Sequence, residues 1–122
     1  MEGIIDFSAW VKLDLRVGKI SKVDDIPEAD KLYKLEVDLG KEIGKRTLAA
    51  RLKAHYKKDE LKGKRCIVFV NLQPRKMRGI ESQGMILAAV HESKGGKGGK
   101  ESKEKVVLIS PERDIELGSK VR

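Results

Sequence analysis

The chain has 122 residues, 39% of them hydrophobic and 38% charged, with 27 Lys and Arg against 19 Asp and Glu and a formal net charge of +8. That is the length of one domain (residues 1–122), with a modest core that needs neither disulfide nor metal, and a partner class led by polyanions over a merely solvated basic surface. No apolar run approaches the roughly 20 residues that span a bilayer, no signal peptide is visible at the start, and the single Cys66 excludes an internal disulfide. An intracellular, cytoplasmic protein is expected. Lys, Glu and Arg are plentiful while side-chain amides occur only at Asn71, Gln73 and Gln83. That composition fits a heat-adapted source, and a compositional bias nearly as well.

Taken in chain order, Asp6–Val11 suits a short helix, with Asp6 as N-cap and Phe7 and Trp10 on one side. Trp10 suits an anchor on the body or on a second subunit better than a base-stacking platform. Residues 13–23 alternate, with Leu13, Leu15 and Val17 on one face, as in a half-buried antiparallel strand. Gly18 breaks the alternation, and a bulge or bend is expected there. Residues 26–31 form a turn with Pro27 at its first corner. Residues 32–39 alternate as a second strand closed by Gly40. Residues 46–52 suit a third strand, although their alanines also suit a helix. One or two helical turns over His55–Leu61 end at Lys62-Gly63.

Cys66–Val70 and Ile86–Val90 read as buried strands four and five. Between them, 71–85 holds Arg75, Lys76 and Arg78 together with all of the chain's amides. Residues 93–105 are glycine- and lysine-rich, a mobile hairpin tip able to attract phosphates at long range. Residues 106–109 form one more strand, ended by Pro111. Strands in this order over about residues 12–91, with a helix between the third and fourth, make a five-stranded Greek-key OB-fold barrel. The helix at 6–11 and the extension at 106–122 lie outside that barrel.

Catalytic chemistry has no foothold in the sequence. His55 and His91 lie far apart, and no Cys or carboxylate group has metal-ligand spacing. The Gly-Gly-Lys steps at 95–100 lack the strand-to-helix context of a phosphate loop. Asp24-Asp25 and Glu28–Asp30 are turn residues before they are a divalent site. A protein without enzyme activity, cofactor or metal is expected.

Asn71-Leu72, then Pro74-Arg75-Lys76-Met77-Arg78-Gly79 and Glu81-Ser82-Gln83-Gly84-Met85, resemble the signature of the tRNA-binding domain family. That family comprises methionyl-tRNA synthetase C-terminal domains, free-standing structure-specific tRNA-binding proteins and endothelial-monocyte-activating-polypeptide-like domains. Asp14–Ile20 and Pro27–Tyr33 agree in order and spacing, as does the tail from Ser110. Ile26 stands where the family usually has His, and Ala50-Arg51 where a Ser-Gly step is common.

The resemblance implies an all-β OB-fold that recognises tRNA shape without chemistry of its own, either free or as an accessory subunit of methionyl-tRNA synthetase. A secretion-chaperone-like peptide binder is the alternative. In an OB-fold, contacts fall on the strand 2–3 face and the loops after strands 1 and 4, here 24–31 and 71–83. Arg75, Lys76 and Arg78 would meet phosphates, and Asn71, Ser82 and Gln83 would meet ribose or base edges. Met85 would touch an unstacked base. Lys31, Lys34, Arg46 and Arg51 would add outer phosphate contacts. Met77 suits either such a contact or the core, and Asn71 either RNA or its own loop. Compact members of the family are homodimers, which implies an interface that includes Phe7, Trp10 and the 106–109 strand through Val106 and Leu108.

Overall fold

The computed structural model of the chain describes residues 3–93 and 103–122. Its elements in order are α1 (Phe7–Trp10), β1 (Leu15–Asp25), β2 (Tyr33–Asp38), α2 (Gly40–Ile43), β3 (Lys45–Ala50), α3 (Lys58–Leu61) and β4 (Arg65–Phe69). There follow β5 (Arg75–Met77), β6 (Ile80–Ser82), β7 (Met85–Ile86), β8 (Ala88–Ser93), β9 (Lys103–Leu108) and β10 (Lys120–Val121). Most of the glycine- and lysine-rich tract, residues 94–102, lies outside the described residues.

The sheet is assembled on β1. Its first half pairs antiparallel with β4, from Leu15↔Phe69 to Lys19↔Arg65, and its second half with β2, from Lys19↔Asp38 to Asp25↔Tyr33. The strand order is β3-β2-β1-β4-β7. The Ser82-Gln83 segment just before β7 bonds to β3, so the curled sheet nearly closes. This is the OB-fold order, with α3 between the third and fourth barrel strands. Glu60 Oε1 accepts the Lys57 N–H at 2.8 Å at the start of α3, and Gly63, at φ +89°, follows its end.

Register explains which side chains fill the barrel. Ile20↔Val37, Leu35↔Leu48 and Gly18↔Cys66 are inward pairs, and Ile20, Leu35, Val37, Leu48 and Cys66 are fully buried in one cluster. Burial pushes the Cys66 thiol up to about 12, so it is an inert thiol. Leu15 and Val17 do not join that cluster. They face outward with Ile67, and Trp10, Phe69, Leu87, Leu117 and Val121 cover them. The alternating apolar face of β1 therefore marks the outer wall of the barrel, roofed by the two ends of the chain.

Two details differ from the sequence expectation. The register shift in β1 falls at Ser21, between Ile20 and Lys22, rather than at Gly18. The Ser21 hydroxyl sits 3.0 Å from the Glu36 carbonyl oxygen and 2.9 Å from Glu36 Oε1, and its hydrogen bond holds the Glu36 carboxyl below the usual range. Gly18 answers a steric demand instead, since a Cβ there would lie 2.6 Å from Val37 Cγ1 and 2.9 Å from Leu39 Cδ2. Secondly, the fifth barrel strand is short. Only Met85–Ile86 pair with β4, and from Ala88 the chain leaves to pair with β9. Leu87 directs its N–H to Ile67 O as the strand departs.

The C-terminal tail is also bound more closely than an outside extension would be. β10 pairs with the start of β1, Leu15↔Val121 and Arg16↔Lys120. Gly40 and Gly118 let the backbones meet: a Cβ on Gly40 would lie 2.5 Å from Leu117 O, and one on Gly118 2.7 Å from Leu39 O. Arg16 Nη1 donates to Gly118 O at 3.0 Å while its Nε donates to Asp14 Oδ1 at 2.6 Å. That hydrogen bond holds the Asp14 carboxyl below its usual range.

Gly18→Ala puts a methyl group into occupied space in the barrel and is expected to destabilise by about 1–3 kcal/mol. The urea midpoint should fall with the slope unchanged; an unchanged midpoint would show that the wall around Val37 and Leu39 yields freely.

Candidate nucleic-acid interface

The segment from Asn71 to Gly84 splits into a tether, a hairpin and a closure. Asn71 is the tether. Its Oδ1 accepts the Asp14 N–H at 2.8 Å and its Nδ2 donates to Lys12 O at 2.7 Å. Both sides of the amide thus hold the approach to β1, at about 1 kcal/mol per bond. The closure consists of Ser82 and Gln83. Ser82 is 4% exposed; its Oγ accepts the Ala49 N–H and donates to Gly84 O, each at 3.0 Å. Gln83 N–H reaches Thr47 O at 2.9 Å, and Gln83 Oε1 accepts the Thr47 N–H at 3.1 Å. Gly84, at φ +139°, lets the chain pass where a Cβ would lie 2.7 Å from Phe69 O.

Arg46 belongs to the same rim. The register Val37↔Arg46 places it on the inward face at the end of the barrel, where Nη1 donates to Val70 O and to Gln83 O. It is not an outer phosphate contact of the strand face, because the outward positions of β3 alternate with it. Lys34, paired with Ala49, does face outward and is exposed.

Between tether and closure, β5 and β6 form a hairpin with pairs Arg75↔Ser82, Lys76↔Glu81 and Met77↔Ile80. Arg78 at φ +51° and Gly79 at φ +82° make its two-residue turn, the arrangement that matches strand twist but favours Asn or Gly at the first position. Met77 and Ile80 pack with buried Ile26, Ala29 and Leu32 and with Ala49. The loop after β1 and the hairpin after β4 therefore share one apolar cluster. Ile26, 3% exposed, serves that cluster where the family usually has His. Pro27 and Glu28 lead this loop through a turn closed by Ala29 N–H to Ile26 O at 3.1 Å, with Glu28 at φ +62°.

Strand alternation sends the hairpin's cations in different directions. Arg75 lies on the barrel-facing side and lines a cleft of about 430 Å³; Lys76 lies on the opposite side across from Glu81; Arg78 sits at the tip. Arg51 and Met85 line the same cleft. Met85 is 45% exposed there. The cleft also brings in Leu52, Gln73, Ile86, Val90 and Glu104, none of which the sequence reading proposed. The pairing of small residues at Ala49-Ala50 and Ala88-Ala89 was the available signal of space between the strands.

Ion pairing sorts the remaining basic residues. Asp25 holds both Lys53 and Lys58, Glu36 holds Lys45, Asp114 holds Arg65, and Asp14 holds Arg16. The hydrogen bond from Lys58 keeps the Asp25 carboxyl below its usual range. Lys31, Lys34, Arg51, Arg75, Lys76 and Arg78 form no ion pair among the described residues and are all exposed. They lie on the hairpin, in the loop at 26–32, on β2 and just past the end of β3. Lys19, Lys22, Lys62, Lys64 and Lys120 elsewhere are likewise exposed and without an ion pair among the described residues.

The expected dimer residues divide similarly. Phe7 is 76% exposed, but Trp10 is half-buried on the outer cluster. Leu108 is buried in the barrel cluster and Val106 packs against it, so the exposed apolar positions of that strand region are Val107 and Ile109.

Arg78→Asn converts the turn to Asn-Gly and relieves a left-handed conformation that costs an ordinary residue about 1 kcal/mol. The thermal midpoint should stay level or rise; a fall would mean that the arginine side chain supports the fold.

Residues 15–120 match the family profile described as "Putative tRNA binding domain". The chain is 50% identical over 118 residues to methionine–tRNA ligase of Pyrococcus horikoshii, covering 97% of this chain and 14% of the ligase. It is 44% identical over 118 residues to the Methanocaldococcus jannaschii ligase, covering 97% of this chain and 16% of the ligase. The chain thus spans 14–16% of the length of these relatives. Among solved structures, a MetRS-related protein from Pyrococcus horikoshii superposes with a TM-score of 0.82 at 32% identity, covering 98% of this chain and 99% of the other. A CsaA chaperone protein from Picrophilus torridus superposes with a TM-score of 0.79 at 33% identity, covering 98% and 100%. With the profile extending from the start of β1 to the start of β10, the chain belongs to the tRNA-binding domain family.

Proposed function

We propose that the protein captures tRNA through its folded shape and backbone, without chemistry of its own, in the cytoplasm and in the service of methionyl-tRNA synthetase. The observation that carries this reading is the braced β5–β6 hairpin, which presents exposed Arg75, Lys76 and Arg78 with no ion pair among the described residues. Phosphate contacts from these residues, with Lys31, Lys34 and Arg51 around them, supply affinity and register rather than sequence choice. Gln83 contributes the Nε2 side of its amide, and Met85 an apolar contact. Asn71, Ser82 and Arg46 act indirectly, by holding the rim in shape. The match to only the small share of each ligase noted above suits a module that raises tRNA capture for a catalytic body elsewhere.

The likeness to a CsaA chaperone, together with the apolar cleft, favours a second reading in which the same surface holds unfolded peptide. The net charge of +8 favours RNA. Titration of labelled tRNA and of an unfolded peptide at two salt concentrations separates the two. Arg75→Ala/Arg78→Ala should weaken tRNA binding at least about tenfold and reduce the salt slope by about 1–2, and Arg78→Asn should weaken binding without loss of stability. Unchanged tRNA affinity in the double variant would remove the hairpin from the interface.

The reading includes a homodimer. Ile4, Ile5, Phe7 and Val11 are exposed at 96%, 69%, 76% and 56%. Phe7 and Val11 line one hollow with Trp10 and Val121 of the outer cluster, and a second copy would cover this end of the chain. Light scattering at micromolar concentration should give twice the monomer mass; the monomer mass would refute the pairing.

A further inference from the structure

The cleft beside the hairpin has a structural cause. The fifth barrel strand ends after Ile86, and β8 turns away to pair with β9, which opens a gap next to the end of β3. The gap is held at its width by Tyr56, whose hydroxyl accepts the Leu108 N–H at 3.1 Å and whose carbonyl accepts the Tyr33 hydroxyl at 2.8 Å. At about 430 Å³ it lies in the lower range of small-molecule sites. Leu52, Ile86 and Val106 give it an apolar floor, and Met85 an exposed apolar wall.

We infer that this cleft receives a single unstacked nucleobase of the bound RNA, its neighbouring phosphates held by Arg51 and Arg75. The inference rests on the tRNA-binding reading and names the part of the ligand that enters. The cations at the mouth and the occupied edge of β3 favour a base over a peptide, and the apolar lining admits either. Arg51 and Arg75, both lining the cleft, form no ion pair among the described residues, which suits an anionic chain running past its mouth. The slot is lined by aliphatic side chains and a methionine, whose polarisable sulfur packs well on a flat ring. An extended peptide would gain affinity chiefly by adding a strand to the neighbouring edge of β3. That edge is already engaged, with the Thr47 N–H on Gln83 Oε1, the Ala49 N–H on Ser82 Oγ and Thr47 O on the Gln83 N–H. Gln73 and Glu104, also lining the cleft, offer a donor and acceptors for base edges.

The test compares a hexamer of riboadenosine with the abasic ribose-phosphate hexamer of equal charge, against wild type, Met85→Ala and Val90→Glu. Val90 is 58% exposed at the cleft, so that its substitution spares the core. Wild type should bind the base-bearing hexamer about tenfold more tightly than the abasic one. Both variants should bring that ratio to about two or below while their thermal midpoints stay near wild type. Because a charge effect acts on both hexamers alike, the ratio reports the base alone. A ratio near one in wild type, or one unchanged in both variants, overturns the inference. So does a failure of either hexamer to bind a protein that binds tRNA. An unfolded apolar peptide that enters the cleft while the ratio stays at one would make it a peptide site. Absence of tRNA binding by wild type would instead remove the reading beneath the inference.

Discussion

The seam between β3 and the Ser82-Gln83 segment is the contact on which the rest of the molecule depends. A closed barrel normally joins its last pair of strands by a backbone ladder, but here two side-chain oxygens take part of that work. The substitution lets the chain cross the seam without running alongside β3, and so leaves it room to build a hairpin immediately before and to depart for β9 soon after. The Thr47 and Ala49 N–H groups, on half-buried residues at the seam, take these side-chain oxygens as partners, each bond worth about 1 kcal/mol. Ser82 and Gln83 are therefore part of the architecture before they are part of any interface.

Ion pairing and carbonyl contacts occupy some of the chain's cations. Several lysines around α3 and the end of β1 are matched by Asp25, and the rim arginines are bound to carbonyls or to Asp14. The formal charge of +8 overstates how evenly a polyanion would be attracted. Exposed cations without an ion pair among the described residues stand on the hairpin and in the loop after β1, besides others elsewhere, and these two are positions from which OB-folds reach their ligands.

Much of this was legible in the sequence. The strand order, the helix between β3 and β4 and the position of the loops at 24–31 and 71–83 follow from alternation, turn residues and the motif at 71–85. Less legible was which of several polar residues in that motif point outward. Asn71, Ser82 and Gln83 look alike on paper, and only the placement of Lys12, Asp14, Thr47 and Ala49 shows what their amides and hydroxyl are for. Alternation in β1 marked a half-buried strand but not which side of the barrel its apolar face would take. The competing element was the pair of chain ends, which roof the outer face and give Leu15 and Val17 a cover of their own. Leu108 is buried in the barrel cluster, and a short apolar strand does not declare in advance which of its faces meets the body.

The apolar cluster shared by Ile26, Ala29, Leu32, Met77 and Ile80 bears on the thermodynamics of recognition. A hairpin as short as β5–β6 would be marginally stable alone in water, and a ligand would have to order it on arrival. Anchored by Met77 and Ile80, it is ordered when the protein folds, so the conformational entropy of that loop is lost once and not again at each encounter. Such a surface binds without a folding step at each encounter.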